Sequence, residues 1–318
     1  MPDADRRPEA TAFGNVTAMA GRVRPMSATT AETAPRGGEW VYEVGWGGVR
    51  VLVSTDGGEP TVLTRRGRDV SAWFPELSGF AEAVAGAVPV TLDGELLVVD
   101  GTATDPGPVE ARLRMSAATA AREARRRPAT FTVYDILCHR GRDTRGFAWE
   151  HRRTVLERLD LSGPAWGTAP VADDPDEARR LSDEYGRDGI VAKRRASTYH
   201  DRRTRDWVAV RHRHVAQLVV GGWWTAPEGT ALLVGERTDD GLVHRGSVRR
   251  GVDAVPDLAV ALDGLDRTES PFRGRKPSGV GRAHWVDPLL PVEVRHGGID
   301  PGGLLTDPEL VRVRIDLL

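Results

Sequence analysis

The stretch WVYEVGWGGVRVLVST, residues 40–55, reads as β-strand; with the turn at Asp56-Gly57-Gly58 and the run PTVLTRR (60–66), it predicts two strands around a tight turn. Working outward, PELSGFAEAVAGA (75–87) has helical spacing of its apolar residues after a proline. VTLDGELLVVD (90–100) reads as a strand bent at Gly94, and VEARLRMSAATAAREARRR (109–127) as a helix with an Arg-rich end. ATFTVYDILCHRG (129–141) predicts a buried strand. WEHRRTVLERLDL (149–161) and DPDEARRLSDEYGRD (174–188) predict helices, the latter with acidic residues early, as the helix dipole favours. GIVAKRR (189–195) and DWVAVRHR (206–213) follow as strands.

After His214 the pattern changes to short strands, AQLVVGGWW, TALLVGERTDDGLVHRGSVRRG, AHWVDPLLPVEVRHGG and ELVRVRIDLL, with one helical run, DAVPDLAVALDGL. Asp240-Gly241 supplies a hairpin turn. This predicts a small antiparallel barrel of about five strands with an inserted helix. The expected domains are 22–214 and 215–318, after a loose tail at 1–21.

The chain has 318 residues, a net charge of -2, 40% hydrophobic and 28% charged residues, the profile of a soluble globular protein. No apolar run reaches the roughly 20 residues of a membrane span, and the first twenty residues lack the pattern of a signal peptide. A cytoplasmic protein is expected. The lone Cys138 reads as a small core residue. The basic side chains are nearly all arginine; the two lysines are Lys193 and Lys276. Residues 194–213 carry seven arginines against two aspartates, a pattern suited to phosphate contacts. His212 and His214 lack a cysteine or third ligand nearby, which argues against a metal site.

Five motifs, EVGWGGVR, LDGELLVVD, FTVYDIL, DGIVAKR and RDWVAVR, stand in an order and at intervals that make the chain resemble the ATP-dependent DNA ligases, in particular the ligase module of bacterial end-joining ligases. VRPMSATTAE (23–32) is similar to the lead-in of that module, and the resemblance covers about residues 22 to 300. It implies an α+β nucleotidyltransferase (adenylation) domain followed by an OB-fold barrel. It also implies ATP or AMP as nucleotide, Mg or Mn as metal, and duplex DNA with nicks or breaks as partner, together with DNA-repair proteins.

Such ligases attack the α-phosphate of ATP with a lysine amine, a nucleophile that needs a lowered pKa. By resemblance that lysine position is Gly45, and the aspartate two residues on is Gly47. Glycine offers no nucleophile. By the same carry-over, Glu43 corresponds to an adenine-recognising glutamate, Arg50 to a ribose and phosphate contact, and Tyr134 to the aromatic that stacks on adenine. Glu95 and Asp188 match the metal-associated carboxylates, Asp188 being one methylene shorter than the usual glutamate. In the fifth motif the two lysines are Ala209 and Arg211. Arg65 lies where the family contacts the 5′-phosphate of a nick, Arg66 departs from the usual asparagine, and Arg194, Arg202, Arg203 and Arg205 belong to the segment facing DNA. The last motif finds only Arg312 and Arg314.

The expected function is a DNA-binding accessory factor that does not adenylylate itself. The alternatives are an active ligase or nucleotidyltransferase, for example one sealing pre-adenylylated nicks, and a protein-interaction scaffold without nucleic acid.

Overall fold

The computed structural model describes residues 23–100, 103–105, 107–187, 189–226, 229–255, 258–273, 282–300 and 302–314. The chain divides into two compact units, the first ending at Arg211 and the second beginning at His212. No described helix is long and apolar enough to cross a membrane.

In the first unit the segment 40–55 does not form one strand. Trp40–Val44 and Val49–Thr55 belong to two different sheets, and the chain crosses between them at Gly45-Trp46-Gly47-Gly48. Glycine is what the crossing requires. Gly47 has φ +65, and a Cβ on Gly48 would lie 2.8 Å from the Leu96 carbonyl oxygen.

One sheet has five strands in the order Ser27–Ala31, Arg203–Arg211, Gly189–Arg194, Trp40–Val44, Val171–Ala172. The other is built on Val49–Thr55, Val90–Asp100 and Ala129–His139, with Thr61–Thr64 outside the first of these and Trp166–Thr168 beside the last. Its apolar face packs Val51, Val53, Leu92, Leu96, Phe131 and Val133 against Phe74, Leu77 and Phe80. Cys138 is fully buried, and burial pushes its thiol up to about 11, as fits a core residue.

Two expected helices are broken. The 75–87 run becomes a 3-10 turn, a four-residue helix at Phe80–Ala83 and a second 3-10 turn, with Gly79 and Gly86 interrupting it. The 109–127 run splits at Ser116, whose side chain accepts from Thr119 N and so starts a new helix, Ala117–Arg126. The helix Pro175–Glu184 begins as expected, with Asp174 accepting from the backbone N–H groups of Asp176 and Glu177.

Among the described residues the second unit holds eight strands rather than five, and the helical run supplies one short helix, Leu258–Leu262. Among the described residues its hydrogen bonding forms an open, wrapped sheet and does not close a barrel. The physical reason lies in the long strand His214–Ala226, which pairs with Pro291–His296 along its first half and with His284–Val286 further on. Its register slips at Gly221, where a Cβ would meet the Phe272 ring at 2.5 Å, so the strand bends around that ring. Arg312 and Arg314 both bond the Glu293 carboxylate, at 2.8 and 2.7 Å.

Candidate functional site

Between the two sheets of the first unit lies a cavity of about 260 Å³, lined by the crossing 43–47, by Arg50, Glu95 and Tyr134 from one side, and by parts of Gly189–Arg194 and Arg203–Arg211 from the other. It gathers Glu43, Gly45, Arg50, Glu95, Tyr134 and Arg211 from distant points of the chain. Asp188 and Lys276 lie outside the described residues.

Glu43 sits on a strand flanked by neighbours on both sides, and is 3% exposed. Its Oε2 accepts from Lys193 Nζ at 2.7 Å, while its Oε1 is buried without a partner. Glu43 and Lys193 are diagonal neighbours on one sheet face, because Glu43 pairs with Val191 and Lys193 with Val41. The Lys193 ammonium also lies 4.5 Å from the Tyr134 ring centroid and 4.3 Å from that of Trp207. Burial raises the Glu43 carboxyl and lowers the Lys193 ammonium from their ordinary values, and the attraction between them opposes both shifts.

Arg50 donates from Nε and Nη2 to the two oxygens of Asp93, each at 2.6 Å. Its guanidinium lies 4.6 Å from the Tyr134 centroid. Although burial works against the charge, Asp93 holds Arg50 protonated well above its ordinary value. Asp93 is held in turn by the Tyr199 hydroxyl at 2.5 Å, and that oxygen accepts from Met26 N at 2.9 Å. Glu95 Oε2 accepts from Gly48 N at 2.8 Å, and its Oε1 is 3.5 Å from the Tyr134 hydroxyl. Burial raises the Glu95 carboxyl, with Arg50 pulling the other way.

Gly45 adds only backbone to this cavity. Its N–H donates to the Gly189 carbonyl at 2.8 Å, and a Cβ at position 45 would stand 3.1 Å from that oxygen. Gly47 and Ala209 likewise bring no polar side chain to the lining.

The described residues, which do not include Asp188, do not suit a metal ion. Among the described residues no group of three or more His, Cys, Asp or Glu side chains is arranged to hold one. Glu95 accepts hydrogen bonds on both oxygens, and Asp93 is taken up by Arg50 and Tyr199. His212 and His214 are part of no such group, and His214 faces His296 at 5.6 Å between ring centroids.

A second cavity of about 760 Å³ in the same unit is lined by Arg24, Arg65, Arg66, Arg202 and Arg203, with Pro25, Ser27 and Asp201. Three separate stretches meet here because Ser27 pairs with Arg203 across parallel strands, while Arg65 Nη2 donates to Ser27 Oγ at 2.9 Å. Two of the arginines expected to face DNA are elsewhere. Arg194 pairs with Asp206 at 3.6 Å over the Trp40 ring, and Arg205 is exposed on its strand outside this cleft.

Sequence reasoning missed four residues that shape the first cavity. Lys193 had no role assigned to it from the sequence, yet it pairs with Glu43. Asp93, two residues before Glu95 in LDGELLVVD, was not singled out. Tyr199 carried no motif signal, and Trp46 had no role assigned to it within EVGWGGVR; the Trp46 ring packs 4.9 Å from that of Tyr185, and the Trp46 carbonyl accepts from Arg187 at 2.7 Å.

Comparison with known proteins places this geometry. Residues 19–211 match the ATP dependent DNA ligase domain family, and residues 225–317 match the ATP dependent DNA ligase C terminal region. The multifunctional non-homologous end joining protein LigD of Mycobacterium bovis is 31% identical over 291 residues, covering 88% of this chain and 37% of that protein. The LigD protein of Pseudomonas aeruginosa is 31% identical over 308 residues, covering 92% and 35%. The chain thus spans little more than a third of the length of these relatives. Among solved structures, the ligase domain of Mycobacterium tuberculosis LigD aligns with a TM-score of 0.54 and 30% identity over 93% of this chain and 96% of that one. A mycobacterial DNA ligase D complexed with ATP and MES aligns with a TM-score of 0.53 and 31% identity over the same shares. The architecture is that of a ligase adenylation domain followed by an OB-fold domain, and the chain belongs to the ATP-dependent DNA ligase family.

Proposed function

We propose that this protein is a DNA-binding accessory factor of strand-break repair that grips nicked or broken duplex DNA in the cytoplasm and does not adenylylate itself at position 45. The observation that carries this reading is the cleft with five arginines and one aspartate beside a cavity where position 45 is glycine. Guanidinium groups converging from three stretches suit the phosphates of a nucleic-acid backbone. The names of the LigD relatives point to end joining, which makes DNA ends the partner and DNA-repair proteins its company. ATP or AMP is the nucleotide of the family, but the amine that would take up AMP is missing at Gly45.

The test is binding to a nicked duplex over a range of salt concentrations, for the wild type and for Arg65→Ala with Arg203→Ala. Phosphate contacts give a slope of log K against log salt of about -0.9 for each phosphate neutralised, and each lost contact flattens it by about one. Salt-independent binding, or a double variant indistinguishable from wild type, overturns the reading. Intact-protein mass after incubation with ATP and Mg or Mn checks the second half, and a covalent AMP adduct would overturn it. Sealing of a pre-adenylylated nick is the readout for the rival reading as an active ligase. Glu95, with both oxygens engaged, gives that rival little support.

A further inference from the structure

One basic stretch of the first unit takes no part in either cavity. Within residues 107–127, Arg112 is buried against Glu76, while Arg114, Arg122, Arg125 and Arg126 are exposed. The helix Ala117–Arg126 accounts for some of these charges. Arg125 and Arg126 lie in its last turn, where the helix dipole favours a cation, and Arg126 pairs with Glu123 at 3.2 Å. Arg122 stands in mid-helix. Arg114 comes just before the Ser116 N-cap, at the end of the dipole that disfavours positive charge. Neither placement is asked for by the helix itself. Among the described residues Arg114, Arg122 and Arg125 meet no carboxylate, and Arg122 reaches Thr119 Oγ1 at 3.3 Å.

The helix presents a stripe. Ala118, Arg122 and Arg125 follow one another at i, i+4 and i+7 and are all exposed, whereas Ala120 and Ala124 on the other side are buried. Alanine at its head leaves the helix backbone open to close approach. The stripe is also joined to the arginine cleft. Thr64 N donates to the Arg68 carbonyl at 2.9 Å, closing a turn that carries Arg65 and Arg66 into the cleft. Just past that turn, Arg68 lies 4.9 Å from the Trp73 ring centroid and its Nη1 donates to the Leu113 carbonyl at 3.4 Å. Trp73 Nε1 donates to the Met115 carbonyl at 3.1 Å. The carbonyls on either side of Arg114 are thus held by residues 68 and 73, which sets the start of the helix beside the turn that feeds the cleft. Few carboxylates offset this file. Asp69 is taken by Ser71 N and Oγ at 2.9 and 2.6 Å, and Glu123 by Arg126, leaving Glu110 exposed.

We propose that one arm of a duplex held at the cleft continues over the Thr64–Arg68 turn and lies along the Ala118–Arg122–Arg125 stripe. This rests on the reading of the cleft as a DNA site and extends the contact beyond it. Arg68, Arg114, Arg122 and Arg125 meet phosphates of the arm and read no bases. A helix of this length spans about 15 Å, close to the rise of four to five base pairs at about 3.4 Å each. Binding therefore depends on the length of that arm.

The experiment measures binding of the full chain, over a range of salt concentrations, to three nicked duplexes closed by hairpin loops. One has long arms on both sides of the nick; in the other two, one arm or the other is cut back to about five base pairs. Arg122→Ala with Arg125→Ala, checked for folding by its melting transition, is expected to bind the long duplex at least tenfold more weakly at low salt, with a slope flatter by about two. On one shortened duplex, the one lacking the arm that lies on the stripe, this variant is expected to match wild type. Arg122→Lys with Arg125→Lys keeps the charge and is expected to retain the slope. The cleft variant, Arg65→Ala with Arg203→Ala, is expected to lose affinity on all three. A stripe variant equal to wild type on the long duplex, beside a cleft variant that still loses, overturns this inference and leaves the cleft reading standing. Equal losses by the stripe variant on all three duplexes overturn it too, since no arm then depends on the helix. A cleft variant with wild-type affinity overturns the cleft reading and, with it, the continuous path. Poly-glutamate binding that is lost in the stripe variant while DNA binding is unchanged would give this face to an acidic protein segment and overturn the proposal.

Discussion

Lys193 Nζ and Glu43 Oε2 stand 2.7 Å apart, with both side chains at most 3% exposed and their positions 150 apart in sequence. Removing one member leaves the other charge buried and alone. Lys193→Met is expected to cost about 3–5 kcal/mol in urea unfolding. The double variant with Glu43→Gln should cost less than the two single variants together. The pH dependence has a definite sign. With Lys193 gone, the folded-state value of Glu43 rises further above its unfolded value of about 4.5, so the folded protein binds the extra proton. The deficit of Lys193→Met against wild type should therefore narrow as pH falls toward that unfolded value and widen as pH rises. A deficit independent of pH would contradict it.

Gly45→Lys should not bring back ATP-dependent nick sealing. Gly47 and Ala209 still supply no carboxylate or amine, and the new Cβ would press on the Gly189 carbonyl at 3.1 Å. Overpacking of this kind costs about 1–3 kcal/mol. We expect a lower melting temperature and no AMP adduct by intact mass. Robust sealing by this single variant would show the account of the site to be wrong.

Tyr199→Phe removes one oxygen that serves two partners. The hydroxyl donates to Asp93 and accepts from Met26 N, tying the lead-in segment to the carboxylate that holds Arg50. A loss of about 1–3 kcal/mol is expected, since a buried N–H is left without an acceptor. Faster amide exchange at Met26 would localise the effect, and unchanged exchange there would count against it.

Cys138 gives a prediction at alkaline pH. Its thiol is held at about 11 in the folded protein, above its unfolded value of about 9.0. The folded state thus keeps a proton that the unfolded state loses. The Cys138 contribution to stability is fully present below pH 9 and falls as pH rises from there through 11. Cys138→Ala should lack this fall, and the difference between the two proteins in denaturant titrations at pH 8 and pH 10 measures it.

The arginines are expected to divide into two groups. Arg24→Ala and Arg66→Ala, in the cleft, should weaken nicked-duplex binding and flatten its salt slope by about one each. Arg194→Ala should do less, since its guanidinium is occupied by Asp206 and Trp40. Equal effects across all three would remove the cleft from consideration.

Much of the fold was legible because strands announce themselves locally. The runs 90–100, 129–141 and 206–213 were readable from composition and alternation, the last two forming Ala129–His139 and Arg203–Arg211, and Asp174-Pro175 marked a helix start. Which sheet each strand joins was not readable. Period-two alternation gives a face but no partner, so 40–44 and 49–55 looked like one strand. The same gap hid the Lys193–Glu43 pair, a diagonal contact between strands far apart in sequence. Ser116 showed a helix start three residues before Thr119, but continuous helical spacing on either side masked it. Glu43, Gly45, Arg50, Glu95, Tyr134 and Arg211, found by motif, meet at one cavity; Asp93 and Tyr199, which hold Arg50 in place, act through contacts that no local pattern encodes.

The close approach of Gly45 to Gly189 also bears on what position 45 tolerates. With no side chain at 45, the strand carrying Gly189 rests nearly against it, and the N–H···O bond between them holds that spacing. The clearance at this joint is set by main chain, so any larger residue at 45 needs the facing strand to give by a few tenths of an ångström.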